Sequence, residues 1–296
     1  MSVEQLKGIL AASPRGPGFL APPLEARAAF NLKLSKFAVP EDVKTTPISI
    51  SGVRVVRAKV PESREDRVLL YFHGGAYIAG TPEGFLGLTA QLARSAGSTL
   101  YSVDYRLGPE HPFPAATDDA IAVYARIQEK FGAEQIIVAG DSAGGGLALA
   151  LLLAARDQGL PQPAGAILLS PWVDLTLRSA ISGKSEDRDP LLSIAALSQS
   201  AHSYLSGSDP EDHLASPLFA NLENLAPISI HVGTEEVLQN DARQLHDRLL
   251  AASGASTLKV WSGMVHDWAL FWQFGLDEAI AVIAEFGETS RSLLSS

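Results

Sequence analysis

The sequence predicts an α/β fold in which a mostly parallel β-sheet carries helices on both faces. Strand-like and helix-like hydrophobic periods alternate from about residue 67 towards the end of the chain. Residues 67–72 form an almost continuous apolar run, which is typical of a strand that is buried on both faces of a parallel sheet. The chain has 296 residues, 46% of them hydrophobic, so it contains enough apolar material for a sizeable core.

The elements follow in a clear order along the chain. Apolar residues at helical spacing predict one or two short helices up to Phe37, broken at residues 13–18, and Pro22 can open the second helix. Strands at 45–50 and 53–60 flank a turn, and this antiparallel pair should form one edge of the sheet. The remaining predicted strands are 67–72, 98–103, 135–139, 165–170, 228–232 and 258–261, and the remaining predicted helices are 85–97, 115–131, 143–158, 240–253 and 276–292.

Residues 175–215 do not fit the alternation, because they form a long stretch rich in Ser, Asp and Pro between two predicted strands. A connection of this length usually carries its own helices or a function. Asp189 begins a helix-like stretch within it. We therefore predict an inserted cap here, and an ordered N-terminal flap over the domain.

Composition excludes several classes of function. The chain has 33 acidic and 23 basic residues, and its net charge of −10 makes nucleic acid an unexpected partner. It has no cysteine, which excludes disulfides, thiolate zinc sites and a Cys nucleophile. The longest apolar run, residues 147–155, is far shorter than the roughly 20 residues of a membrane span. The first residues lack a signal-peptide pattern, so we expect a cytoplasmic protein without stable membrane insertion.

The strongest motif is Gly-Asp-Ser-Ala-Gly at residues 140–144, between a predicted strand and a predicted helix. This is the context of a nucleophile elbow, in which a sharp turn leaves no room for side chains at the flanking glycines. Ser142 is expected to adopt a strained conformation that projects its Oγ above the sheet, and the amide of Ala143 would face a developing oxyanion. The glycines at 144–146 could also suggest a dinucleotide loop, but Leu149 stands where that motif requires a small residue.

A second glycine-rich loop, residues 73–76 with the sequence His-Gly-Gly-Ala, follows the strand at 67–72. Adjacent glycines allow backbone amides to approach a substrate closely, as in oxyanion loops of the His-Gly-Gly-Gly type. By itself the segment could be an ordinary turn. Two such loops at strand ends of one sheet favour the functional interpretation. His73 is predicted to tether the loop rather than to titrate.

The base is predicted to be His266, which lies in the loop after the last strand. In sheets of this kind the order along the chain is serine, acid, histidine. The other histidines after Ser142 lie in a strand, a helix or the inserted region: His231, His246, His202 and His213.

The acid should follow the strand at 228–232, where three carboxylates are candidates. Either type of carboxylate can hold the imidazole tautomer and stabilise the imidazolium. Asp241 could instead cap a helix, and Glu235 could be a solvated neighbour. The residues alone leave Glu235, Glu236 and Asp241 open.

Three blocks together resemble the bacterial hormone-sensitive-lipase family (family IV) of α/β-hydrolase esterases, from about residue 67 to 270. They are His-Gly-Gly-Ala at 73–76, the long block 104–116 beginning Asp-Tyr-Arg-Leu-Gly-Pro-Glu, and Gly-Asp-Ser-Ala-Gly-Gly at 140–145. The family's acid is an Asp in Asp-x-Leu, and here Glu236 stands at that position in Glu-Val-Leu. The resemblance therefore implies Glu236 as the acid, despite this departure.

The resemblance implies an eight-stranded, mostly parallel sheet in a catalytic domain of residues 45–296, with a cap built from residues 1–44 and the insertion at about 175–215. It implies oxyanion donors at Gly74, Gly75 and Ala143. Within the block 104–116 we expect a structural pair between Arg106 and Glu110.

The function implied is a serine carboxylesterase that hydrolyses short-chain acyl esters through an acyl-enzyme on Ser142, without metal or cofactor. Its partner would be a small-molecule ester, and the resemblance is compatible with a homodimer. The alternatives are a non-catalytic small-ligand receptor on the same fold, and an amidase or acyltransferase that uses the same residues.

Overall fold

The computed structural model describes residues 1–12 and 18–294. Apart from Gly18, the predicted helix break at 13–18 lies outside the described residues. Eight strands of the described chain form one sheet with the order β1-β2-β4-β3-β5-β6-β7-β8. Their bounds are β1 Lys44–Ile50, β2 Val53–Lys59, β3 Arg64–Phe72, β4 Ser98–Val103, β5 Ile136–Asp141, β6 Gly165–Leu169, β7 Ile228–Gly233 and β8 Ser256–Trp261.

The pairing is antiparallel at one edge and parallel elsewhere. β1 pairs with β2 and β2 with β4 in antiparallel fashion, and the other neighbours are parallel. β1 is mostly exposed and contains Pro47, which an edge strand tolerates because a proline cannot donate to a sheet ladder. The predicted mostly parallel sheet with an antiparallel opening pair is confirmed.

Helices cover both faces of the sheet, as predicted. Leu70 and Phe72 of β3 join one apolar cluster, whereas Leu69 and Tyr71 between them join the other. This alternation is the period-2 geometry of a strand that is buried on both faces. The helices are α1 Val3–Ala12, α2 Pro23–Leu34, α3 Leu86–Ala96, α4 Ala115–Phe131, α5 Ala143–Asp157, α6 Arg178–Gly183, α7 Ile194–Leu205, α8 Gln239–Ala251 and α9 Asp277–Leu293. None of the helices in the described ranges is long and apolar enough to cross a bilayer.

The insertion carries its own helices, α6 and α7, but α7 does not start at Asp189. It starts after Ser193, whose side chain accepts a hydrogen bond from the Ala196 amide. The carboxylate of Asp189 instead accepts from the amides of Leu191 and Leu192. The residue before a proline avoids the helical region, and an Asp side chain satisfies nearby amides in a turn, so the helix begins later than the pattern predicts.

The N-terminal helices contact the insertion and the loops after β3 and β4. The side chain of Gln199 on α7 donates to the carbonyl of Ala21. Arg27 on α2 donates to the carbonyl oxygens of Ile78 and Gly108, each at 2.6 Å. Helix α2 therefore anchors two of the loops at the carboxyl edge of the sheet.

The predicted pair between Arg106 and Glu110 is wrong. Arg106 binds Asp119 on α4, whose carboxylate is nearly buried and needs a cationic partner. Glu110 lies on the outer side of the loop and pairs with Arg27 of α2 at 2.7 Å. Each charge therefore connects the 104–116 block to a different helix.

Candidate active site

Ser142 sits in a sharp turn between β5 and α5. Its backbone angles are φ 53° and ψ −120°, a region that costs a non-glycine residue about 1–3 kcal/mol. A Cβ on Gly140 would lie 2.2 Å from the carbonyl oxygen of Gly144, and one on Gly144 would lie 2.0 Å from that of Phe72. Both flanking positions therefore require glycine, and the serine side chain projects from a fixed bend.

The side chain of Ser142 is in hydrogen-bond contact with His266. Its Oγ lies 2.9 Å from Nε2, and Nδ1 of the same ring lies 3.0 Å from Oε2 of Glu236. In the neutral ring, Nδ1–H donates to the carboxylate and Nε2 accepts from the hydroxyl. The structure thus brings together the three side chains that the sequence analysis singled out.

The two competing carboxylates lie elsewhere. Glu235 points to the surface and faces Lys7 on α1 at 3.5 Å. Asp241 is buried, and its Oδ2 accepts from the amides of Val173 and Asp174. Neither carboxylate contacts the ring of His266, so Glu236 is the one of the three candidates with the geometry of a triad acid.

Glu236 is completely buried and held on its other side as well. Its Oε1 accepts from the amide of Gly233 and, at 2.8 Å, from the hydroxyl of Ser170. Burial raises the pKa of Glu236, and its hydrogen bonds partly oppose that rise. Burial lowers the pKa of His266, but the negative charges of Asp267 and Glu236 outweigh this and raise it above the usual value.

Ser170 was not recognised as a site residue in the sequence. The only signal is its position directly after β6, where parallel strands end at the same edge as β5 and β7. Its hydroxyl fixes the rotamer of Glu236, so it supports the geometry rather than the chemistry.

His73 tethers its loop, as predicted. Its ring is fully buried, with Nδ1 2.8 Å from the carbonyl oxygen of Gly74, and it stacks on Tyr105 with 4.5 Å between ring centroids. Burial lowers the pKa of His73, which keeps the ring neutral and suits a structural role.

The loop does not leave all three predicted amides free. The amide of Gly74 donates to Oδ1 of Asp141 at 3.0 Å, so in this arrangement it is not available to a substrate. Among the residues that the structure describes, no group accepts a hydrogen bond from the amides of Gly75 or Ala143. The expectation for Gly74 is therefore corrected: the Asp141 carboxylate occupies its donor and fixes the loop to the nucleophile turn.

Comparisons with known proteins identify relatives of the chain. Residues 69–270 match the model of a family described by its alpha/beta hydrolase fold. An acetyl-hydrolase of Streptomyces hygroscopicus is 43% identical over 209 residues, which are 70% of each chain. A crystal structure of the esterase EstE5 soaked with p-nitrophenyl butyrate superposes with a TM-score of 0.94 at 35% identity, over 99% of both chains. A crystal structure of an esterase from the bacterial hormone-sensitive lipase family has a TM-score of 0.92 at 34% identity, over 99% of this chain and 98% of that one.

A nucleophile elbow on a sheet of this topology, with the serine in contact with a histidine, defines a serine hydrolase of the α/β-hydrolase fold. Within that class, the chain belongs to the bacterial hormone-sensitive-lipase family of esterases.

Proposed function

We propose that this esterase cleaves short-chain acyl esters with Ser142 as nucleophile, His266 as base and Glu236 as acid. His266 takes the proton of Ser142 on Nε2 while Oγ attacks the ester carbonyl carbon. The protonated ring then gives that proton to the leaving alkoxide as the bond to the acyl carbon breaks. Water, deprotonated by the same nitrogen, releases the acid and restores the serine.

The observation that carries the proposal is the continuous chain of contacts from Oγ of Ser142 through both ring nitrogens to Glu236, at 2.9 and 3.0 Å. A ligand-binding receptor on the same fold would not need a base hydrogen-bonded to a nucleophilic serine. The carboxylate of Glu236 stabilises the imidazolium that forms when the serine proton is taken.

The amides of Gly75 and Ala143 are the donors proposed for the oxyanion. Neither is used within the described protein, and Gly75 adopts φ 124°, which a residue with a side chain rarely adopts. A Cβ added to Gly75 would also lie 2.2 Å from the carbonyl oxygen of Ala79, so the tight loop requires glycine at this position. Loss of one such donor typically costs about 3–4 kcal/mol of transition-state stabilisation.

The preference for short acyl chains is proposed from the cap, residues 1–44 and about 175–215. Arg27 attaches the first of these segments to the loops after β3 and β4. Asp189 attaches the second, because its Oδ2 accepts from the amide of Val237, the residue after Glu236. Segments fixed so close to the reacting groups would limit the length of the acyl chain. The EstE5 crystal was soaked with p-nitrophenyl butyrate, an ester with a short acyl chain.

The test compares the parent protein with Ser142→Ala on p-nitrophenyl butyrate, with Ser49→Ala on the exposed edge strand as matched control. We expect Ser142→Ala to abolish turnover and Ser49→Ala to preserve it. A p-nitrophenyl phosphonate should transfer its phosphonyl group to Ser142 with release of p-nitrophenolate, so the peptide that contains Ser142 should gain the mass of that group in the parent protein only. No turnover by the parent, or labelling of a different residue, would contradict the proposal. A series of esters from acetate to laurate then tests the chain-length preference.

A further inference from the structure

His266 has a second carboxylate beside it, which the triad does not use. Oδ2 of Asp267 lies 3.3 Å from Nε2, the nitrogen that also faces Oγ of Ser142. The ring is therefore flanked by negative charge on both nitrogens, by Glu236 at Nδ1 and by Asp267 at Nε2.

Asp267 is held in this position by its backbone. It adopts φ 52°, a left-handed conformation that Asp and Asn tolerate better than other residues with side chains. Its carboxyl group is largely shielded, with a side-chain exposure of 14%, and its Oδ1 is buried without a hydrogen-bond donor among the described residues. A buried carboxyl oxygen without a donor is costly unless the group shares a proton.

Asp141, in the nucleophile motif, is the group that can share a proton with Asp267. Its Oδ1 accepts from the hydroxyl of Tyr71 at 2.7 Å and from the amide of Gly74, while its Oδ2 is also buried and has no donor in the part of the chain that the structure describes. The negative charge of Asp267 raises the pKa of Asp141, so the two carboxyl groups favour a state in which one of them is protonated. Two ionised carboxylates offer only acceptors, and a proton on one of them would supply the donor that both lack.

We propose that Asp267, sharing a proton with Asp141, is a positioning residue that sets the pH at which His266 becomes available as the base. When Asp267 is ionised, it holds the imidazolium form of His266, and Nε2 cannot accept the serine proton. When the shared proton sits on Asp267, the ring is released as a neutral base. This inference rests on the proposed role of His266.

The direction of the effect follows from the charges. Burial raises the pKa of Asp141, and the neighbouring charge of Asp267 raises it further. One proton therefore stays on the two carboxyl groups at pH values well above the usual pKa of an aspartic acid. The pKa of His266 is raised, and only the neutral ring can act as the base. Activity therefore increases as the pH rises through the pKa of His266. The other titratable groups that act on this cluster are Glu236 after β7, Asp189 in the insertion, Tyr71 on β3 and Tyr105 after β4.

The central experiment is the pH profile of kcat/KM for Asp267→Asn. Asn keeps the volume and the left-handed backbone but removes the charge. We expect the acid limb to move to lower pH by about 1–3 units, the shift that an opposite charge within 4–6 Å produces. The rate at which a sulfonyl fluoride inactivates the enzyme should show the same shift, because that reaction also needs neutral His266.

Asp141→Asn distinguishes this coupling from a general loss of negative charge. Its amide oxygen can still accept from Tyr71 and Gly74, and its NH₂ would donate to Asp267 and keep that group ionised. We therefore expect its acid limb to stay at the parental pH or to move higher. Asp247→Asn, which removes an exposed charge on α8, serves as control and should leave the profile unchanged.

An acid limb for Asp267→Asn that coincides with the parental one would overturn the proposal, as would equal downward shifts for Asp267→Asn and Asp141→Asn. Failure of the proposed function would look different, because Ser142→Ala would then retain turnover. If Ser142→Ala is inactive and the limb does not move, only the role of Asp267 is refuted. Thermal unfolding of each variant checks that the fold is intact.

Discussion

Replacing Glu236 with Gln should remove activity by changing the tautomer of His266. Oε1 of Glu236 receives the amide of Gly233 and the hydroxyl of Ser170, while Oε2 receives Nδ1 of the ring. A Gln must place its oxygen towards the Gly233 amide, because a backbone N–H cannot become an acceptor and a clash of buried donors costs about 1–3 kcal/mol. Its NH₂ group would then face Nδ1.

The imidazole of His266 can accept a hydrogen bond from that NH₂ group by changing its tautomer. This change of tautomer is what removes its function as the base. With NH₂ facing it, Nδ1 must present its lone pair, so the ring proton moves to Nε2. That nitrogen then cannot accept the proton of Ser142. The same change of tautomer lowers kcat by about 10⁴-fold in serine proteases. At 1.36 kcal/mol for each tenfold change, this is about 5 kcal/mol of lost transition-state stabilisation.

The assay is steady-state hydrolysis of p-nitrophenyl butyrate, with Glu235→Gln as matched control. That neighbour changes the same group one residue away, at the surface beside Lys7, and should retain nearly parental kcat. Asp241→Asn provides the second control, because its carboxylate accepts from two backbone amides and not from the ring of His266. Retention of most activity by Glu236→Gln, with loss in one of the controls, would refute the assignment of the acid.

Three further predictions concern the framework. Gly144→Ala should lower the unfolding midpoint in urea and abolish activity, because its Cβ would lie 2.0 Å from the carbonyl oxygen of Phe72; a parental midpoint would contradict this. Burial and the charge of Asp174 raise the pKa of Asp241 to about 8. The pKa of Asp241 in the unfolded chain is about 4, so the folded protein loses stability as the pH rises from about 4 to about 8. Asp241→Asn should therefore be more stable than the parent at pH 9 but not at pH 4. Urea titrations at both pH values would check this. Arg27→Ala should increase proteolysis within residues 1–44, because the carbonyls of Ile78 and Gly108 lose their shared donor; cleavage at the parental rate would argue against this anchor.

The local sequence was sufficient to predict the structural features that depend only on neighbouring residues. The strained turn at Ser142 follows from two glycines that flank it between a strand and a helix, and the structure has the strand, the turn and the helix in those places. The sheet was predictable for the same reason, because burial on both faces leaves an apolar run in the sequence of each inner strand. Short-range steric exclusion determines the turn, and the hydrophobic pattern of the sequence determines the strands.

Only the tertiary structure could choose among the carboxylates. Three candidates stand within seven residues, and the pattern of the chain does not say which side chain turns towards a histidine 30 positions away. The fold directs Glu235 to the surface and Asp241 beneath the amides of Val173 and Asp174, and leaves Glu236 at Nδ1.

The same holds for the Gly74 amide, which a carboxylate 67 residues away occupies. The sequence by itself determined the sheet, the nucleophile turn and the histidine that follows the last strand. The tertiary structure decided which distant polar groups meet, because hydrogen bonds and charges act over a few ångströms of space regardless of separation along the chain.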